Sequence, residues 1–183
     1  MAQQATAPRR KAPTSRARKN GATKAATKAA TKRVTPFLMF NDQLEPAIKF
    51  YTTTFPDSKI KTMARSGKDG PVNSAEFVIG GQSFMGYNGG PHFTFSEGFS
   101  LFFECEDQKE VDRYWNALLK AGATPSQCGW IRDPFGLSWQ IVPRRFIELI
   151  GDRNPKKVKA VIDAMMKMVK LDVATLEKAY SSA

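Results

Sequence analysis

One strand-then-helix pattern occurs twice in this chain, 64 positions apart, and that repetition narrows the fold more than any other feature. Phe37-Leu38-Met39 falls on Leu101-Phe102-Phe103, Gln43 on Asp107, and Phe50-Tyr51 on Tyr114-Trp115. An aromatic pair at the same place in two strand-helix units points to an internal duplication. In the first unit, Val34–Phe40 reads as an apolar strand and Asn41-Asp42 as turn and cap. Leu44, Ala47, Ile48, Tyr51 and Phe55 then recur at helical spacing. Lys59–Arg65, Ala75–Ile79 and Gln82–Tyr87 read as short strands, punctuated by Gly67–Pro71 and Gly80-Gly81.

The second unit repeats the order. Phe99–Cys105 is strand-like, and Asp107 caps a helix carrying Val111, Tyr114, Trp115, Leu118 and Leu119 that ends at Gly122. Strands near Pro125–Gln127, Trp130–Arg132 and Leu137–Val142 follow, with Asp133-Pro134-Phe135-Gly136 as a turn. The predicted fold class is α+β: duplicated β-α-β-β-β modules forming a curled mixed-sheet cleft, with C-terminal helices. Ligand sites favour clefts between modules. The predicted organisation is a basic tail over 1–33, the paired modules over 34–143 and a helical extension over 144–183. In the extension, Asn154-Pro155 is a helix start. Val158, Val161, Ile162, Met165 and Val169 form a stripe for packing against the core or a second subunit, and Asp172 starts a last helix.

Charge divides the chain sharply. The whole sequence carries a formal net charge of +11, yet residues 1–33 hold ten Lys and Arg and no acid, leaving 18 basic and 17 acidic residues elsewhere. The domain is therefore nearly neutral, and any argument toward nucleic acid concerns the tail alone. The tail has no Leu, Ile, Phe, Tyr or Trp, and Gly21–Lys32 repeats as GATK-AATK-AATK. Such a composition lacks the apolar surface to offset ordering entropy, which predicts disorder. Three readings of it compete: a solubilising leader, a non-specific polyanion binder acting through counterion release, and an organelle transit peptide. No apolar run approaches a membrane span. With no secretory leader read ahead of Cys105 and Cys128, two free thiols in a reducing, cytoplasmic compartment are expected.

Several motifs together carry a family resemblance. They are Phe50-Tyr51, Asn88-Gly89-Gly90-Pro91-His92-Phe93, Cys105-Glu106-Asp107-Gln108 with Val111-Asp112-Arg113-Tyr114-Trp115, and Gln127-Cys128-Gly129-Trp130 with Asp133 and Gly136–Gln140. Over about residues 34–180 the chain resembles the vicinal oxygen chelate superfamily of glyoxalase I, bleomycin-resistance proteins and extradiol dioxygenases. Within it, the chain is similar to the subgroup called PhnB-like, or 3-demethylubiquinone-9 3-methyltransferase. The resemblance implies a divalent-metal site with ligands on the first and last strand of each half. Those slots fall near Pro36, Ser100, Met85 or Gly86, and Gln140, and none is His, Glu or Asp. A cleft without metal or other cofactor is therefore expected. The resemblance also implies a methyltransferase. A methyl-donor pocket usually needs a glycine-rich strand-to-helix loop, whereas Gly80-Gly81 and Gly89-Gly90 lie in turns of a β-meander.

The candidate ligand-binding residues are Phe40, Phe50, Asn88, His92, Cys128, Trp130, Trp139 and Gln140. His92, the single histidine, is the best candidate for a general base, against a role in fixing its own loop. Asn88 could orient a ligand carbonyl or stabilise a turn. Trp130 and Trp139 could wall a planar ligand or pack in the core. Phe40 and Phe50 are expected as core or cleft floor, and Gln140 occupies a metal-ligand slot with a neutral amide. Cys128 as a nucleophile would need a base or cation nearby. Cys105 is expected as a buried small hydrophobe, and Asp133 and Gly136 as turn-forming residues. The favoured function is metal-independent binding of an aromatic or amphipathic small molecule by a homodimer. An enzyme, in which His92, Cys128 or Glu104 would have to converge, and a tail-driven polyanion binder are the alternatives.

Overall fold

In the computed structural model, which describes residues 34–183, each strand-helix unit builds its own four-stranded sheet. The first unit runs β1 (Phe37–Phe40), α1 (Leu44–Thr54), β2 (Lys59–Arg65), β3 (Val72–Ile79) and β4 (Gln82–Asn88), with spatial order β1-β4-β3-β2. The second runs β5 (Ser100–Cys105), α2 (Gln108–Lys120), β6 (Thr124–Pro125), β7 (Trp130–Arg132) and β8 (Ser138–Pro143), with order β5-β8-β7-β6. In each sheet the first and last strands pair in parallel and the others antiparallel, so the sheets are mixed. The tail, residues 1–33, lies outside the described residues.

The expected curled sheet is not what forms. Neither sheet curls or closes, because closure would require the two ends of the strand order to hydrogen-bond. The helical crossover instead lays the first strand of each module beside the last. That leaves β1 and β2 at opposite edges of one sheet, and β5 and β6 at opposite edges of the other. The space between the modules is filled by aromatic side chains. Phe55 stacks on Trp139 with ring centroids 4.3 Å apart, Tyr51 lies 5.4 Å from Trp139, and Phe103 lies 4.8 Å from Tyr114. Burying a ring of this size is worth about 1.5–3 kcal/mol, so the junction is a continuous core.

Burial also changes the register of the duplication. Leu38 and Phe40 of β1 are buried while Phe37 is 51% exposed; in β5 it is Cys105 that is buried and Phe102 that is 51% exposed. The strands therefore match at an offset of 65, pairing Phe37 with Phe102 and Phe40 with Cys105. The helices match at 67, where buried Leu44, Ala47, Ile48 and Tyr51 answer buried Val111, Tyr114, Trp115 and Leu118. The offset of 64 aligned residue types, but a one-residue slip turns a strand's side chains to the opposite face.

The C-terminal helices α3 (Arg144–Ile150), α4 (Pro155–Met165) and α5 (Val173–Ser181) bury Phe146, Leu149, Val161, Leu171 and Leu176 in a second small core with Val142. Gln108 of α2 holds this segment at both ends of its amide, donating to the Leu171 carbonyl (3.2 Å) and accepting from the Val173 N–H (2.8 Å). Within the predicted stripe, Val161 is buried, whereas Ile162 and Val169 are exposed. No helix among the described residues is long and apolar enough to cross a membrane.

Candidate functional site

Side chains directly opposite one another on paired strands share a face. In the second sheet, Ile131 faces Trp139 on the side that packs against the aromatic core. The alternate residues, Trp130 opposite Gln140, Arg132 opposite Ser138, and Ser138 opposite Ser100, occupy the helix-free side. There the Gln140 Nε2 donates to the Ser100 Oγ (2.8 Å), joining two of the inferred metal-ligand slots. A cavity of about 360 Å³ opens on this side, lined by Cys128, Trp130, Arg132 and Ser138 with Glu97 and Gln127. An aromatic ring, hydroxyls, an amide and a guanidinium on one rigid sheet face make a surface suited to a small organic molecule.

Two further cavities border the modules. One of about 460 Å³ lies between the β3–β4 turn and β5, lined by Gly80, Gln82, Phe99, Phe102, Phe103 and Trp139. One of about 260 Å³ is lined by Met39, Phe40, Phe93, Phe95, Arg132 and Phe135.

The predicted residues divide among these features. Trp130 and Cys128 line the 360 Å³ cavity and Gln140 lies beside Trp130. Phe40 is buried and touches the 260 Å³ cavity, packing edge-on against Phe95 at 5.2 Å. Phe50 is half-buried between Tyr51 and Phe135. Trp139 is 1% exposed and belongs to the core face, although its edge reaches the 460 Å³ cavity. His92 is exposed in the loop after β4 and borders none of the three cavities. The Asn88 amide is engaged on both sides. Its Oδ1 accepts from the Leu44 N–H (3.0 Å) and its Nδ2 donates to the Val72 carbonyl (2.8 Å). It thus caps α1, whose N-cap Gln43 makes no side-chain cap bond.

His92, Cys128 and Glu104 border no common cavity: Cys128 lines the 360 Å³ cavity, Glu104 the 460 Å³ cavity, and His92 none. The Cys128 thiol donates to the Met166 thioether at 3.7 Å, and Glu104 pairs with Arg144 at 2.7 Å. Cys105 is fully buried, and burial pushes its thiol up to about 12.

Asp133 has a larger part than turn formation. Its Oδ1 accepts from the Phe135 and Leu137 N–H groups, each at 2.9 Å, which makes the turn. Its Oδ2 accepts from the Tyr51 hydroxyl (2.6 Å) and the Trp139 indole N–H (2.9 Å), which ties α1 of the first module to the second. Burial raises this carboxyl above its ordinary value against the pull of the four hydrogen bonds, and raises the Tyr51 phenol as well. Arg132, which no motif singles out, lines the 360 Å³ cavity beside Trp130. Two residues apart on one strand, Trp130 and Arg132 share a face, and that spacing is legible in the sequence.

Donor chemistry does not fit the groups the fold family implies. Ser100 and Gln140 converge, but hydroxyl and amide are poor divalent-metal ligands, and Pro36 and Met85 offer no side-chain oxygen or nitrogen. Among the described residues, no three His, Cys, Asp or Glu gather as a metal site. Gly80-Gly81 form the β3–β4 turn and Gly89-Gly90 follow β4, so neither pair opens a helix toward a methyl donor.

A family model described as 3-demethylubiquinone-9 3-methyltransferase matches residues 32–142. Among solved structures, a PhnB protein from Bacillus cereus, provisionally given the same methyltransferase description, is 30% identical over 61% of this chain and 99% of its own, with a TM-score of 0.56. The protein PA1353 from Pseudomonas aeruginosa is 20% identical over 62% of this chain and 98% of its own, with a TM-score of 0.52. The fosfomycin resistance protein FosX from Listeria monocytogenes, 13% identical over 67% of this chain and 99% of its own, reaches 0.50. The last two likenesses concern the fold alone. No curated protein matches. The helices α3, α4 and α5 lie beyond the residues the family model covers.

Proposed function

The chain belongs to the 3-demethylubiquinone-9 3-methyltransferase family of the vicinal oxygen chelate superfamily, and on that premise we propose that it binds a small aromatic or amphipathic molecule, without a metal, on the helix-free face of its second sheet. One observation carries the reading. Trp130 and Ser138 line a 360 Å³ cavity on that face, and Gln140, opposite Trp130, is held to Ser100, which borders the 460 Å³ cavity, where the superfamily would keep metal ligands. The amide and hydroxyls orient a neutral polar group of the ligand, and the half-exposed indole supplies apolar area.

The protein acts as a homodimer in this reading. Phe37, Met85 and Tyr87 stay exposed on one face of the first sheet, an apolar strip that a second copy would cover. The two free thiols suit a reducing, cytoplasmic setting. The ten cations of residues 1–33 add a sequence-independent attraction for nucleic acid.

Native mass spectrometry of the purified full chain, alongside the small molecules released on denaturation, tests the whole reading. The expected result is a dimer carrying an organic molecule and no divalent metal. Stoichiometric zinc or nickel binding at micromolar concentration would overturn metal independence, and a stable monomer would overturn the dimer.

A further inference from the structure

Arginines among the described residues are mostly occupied. Arg65 pairs with Glu45 at 2.6 Å, Arg144 with Glu104 and Glu106, and Arg145 with Glu148 and Glu177. Arg113 lies over the Tyr114 ring, 5.3 Å from its centroid. Arg132 and Arg153 make no side-chain hydrogen bond and no ion pair among the described residues; both are exposed, but Arg153 borders none of the three cavities, whereas Arg132 lines both the 360 Å³ and the 260 Å³ cavities. It sits on β7, between β6 and β8, with Ser138 opposite it on one side and Thr124 on the other, so its backbone is fixed by two neighbouring strands. Trp130, two residues earlier, shares its face. The wall of the smaller cavity beside it is aromatic, made by Phe93, Phe95 and Phe135.

A guanidinium presents a planar fork of donors that matches a carboxylate or another oxyanion in two parallel hydrogen bonds. Left without a protein partner at the meeting of two ring-lined cavities, it has the geometry of an anchor for such a group. Glu97 borders the larger cavity without pairing with Arg132. Its negative charge opposes a second anionic group, which favours a monoanion over a dianion.

We propose that the ligand of this face is an aromatic or amphipathic organic monoanion, its acid group held by Arg132 and its apolar body by Trp130 and the neighbouring phenylalanines. The proposal rests on the reading of the helix-free face as the binding face and adds to it the charge of the ligand.

A matched pair of fluorescent probes tests it on the full chain in 150 mM salt. 1-Anilinonaphthalene-8-sulfonate carries one negative charge; N-phenyl-1-naphthylamine has the same rings and none. The expected result is that the anionic probe binds the native protein more tightly than the neutral one. Arg132→Gln then weakens the anionic probe by about tenfold or more and leaves the neutral probe within about twofold, because only the charge-assisted bond is removed. Arg132→Lys, which keeps the charge without the fork, falls between. An unchanged urea midpoint in both variants keeps the comparison on binding. Equal loss of both probes, or no loss of either, overturns the role of Arg132 while binding itself still stands. If neither probe binds the native protein, the proposal and the binding-face reading both fall.

Discussion

Replacing Asp133 by Asn should destabilise the protein more than removing the Tyr51 hydroxyl that bonds to that carboxylate. The amide oxygen can keep the two N–H donors of Phe135 and Leu137. The amide nitrogen then stands where Oδ2 accepted from Tyr51 and Trp139. The Tyr51 hydroxyl can turn and accept. The Trp139 indole N–H is a donor only, so it faces another donor inside a core where Trp139 is 1% exposed. A stranded buried donor costs about 1–3 kcal/mol, and losing the charge assistance of the Tyr51 bond adds about 1 kcal/mol, giving about 2–4 kcal/mol. Tyr51→Phe leaves three donors on the carboxylate and should cost about 1.5–3 kcal/mol. Urea denaturation measures both, with the midpoint falling and the slope unchanged. For a chain of this size Asp133→Asn should lower Tm by about 4–16 °C. A change within about 0.5 kcal/mol for Asp133→Asn would refute the claim that this carboxylate ties the modules together.

Three further outcomes are expected. Glu45 is held at about 2, below its ordinary 4.5, by hydrogen bonds from Arg65 and Lys49. A depressed carboxyl contributes stability that is full above pH 4.5 and lost as the pH falls toward 2, so Glu45→Gln should flatten the acid side of the stability curve in that window; an unchanged acid limb in urea midpoints counts against it. A thiol reagent at pH 8 should modify Cys128 alone in the native protein and both cysteines in denaturant, because Cys105 is buried with its thiol pushed up to about 12; two fast native thiols, counted by mass, would contradict this. Removing residues 1–33 should abolish retention on a DNA column at low salt, since the remaining 150 residues carry a net charge of only +1; retention that survives truncation would locate the attraction elsewhere.

What the sequence made legible was local. Asp107, Asn154 and Asp172 cap α2, α4 and α5 as their positions implied, each accepting from an N–H two or three residues ahead. Helical spacing likewise marked the buried faces of α1 and α2. The α1 cap was hidden because its acceptor, Asn88, comes from 44 residues downstream, and the expected local cap at Asn41-Asp42 does not form. Facing was hidden for a related reason. Matching residue types gave one offset for the whole unit, whereas burial requires 65 for the strands and 67 for the helices.

Helix α3 follows Pro143 with no capping side chain and no break in composition, so Arg144–Ile150 carried no start signal. Sheet curvature depends on pairing between distant strands, which no local pattern encodes. At the site, Trp130 and Gln140 could be found from motif position, and their pairing across β7 and β8 brings them together. Trp139, in the same motif, points the other way because adjacent residues on a strand alternate faces.

The binding face can be tested directly through the indole N–H resonances of the chain's three tryptophans in a proton–nitrogen correlation spectrum. Trp130 lies half-buried on the helix-free side, Trp115 is buried in α2, and Trp139 is buried and bonded to Asp133. Titration with the molecule recovered from the protein, or with 1-anilinonaphthalene-8-sulfonate, should shift the Trp130 resonance progressively to saturation and leave Trp115 and Trp139 in place. A shift at Trp139 with Trp130 unmoved would put the ligand in the cavity between the modules and contradict the account.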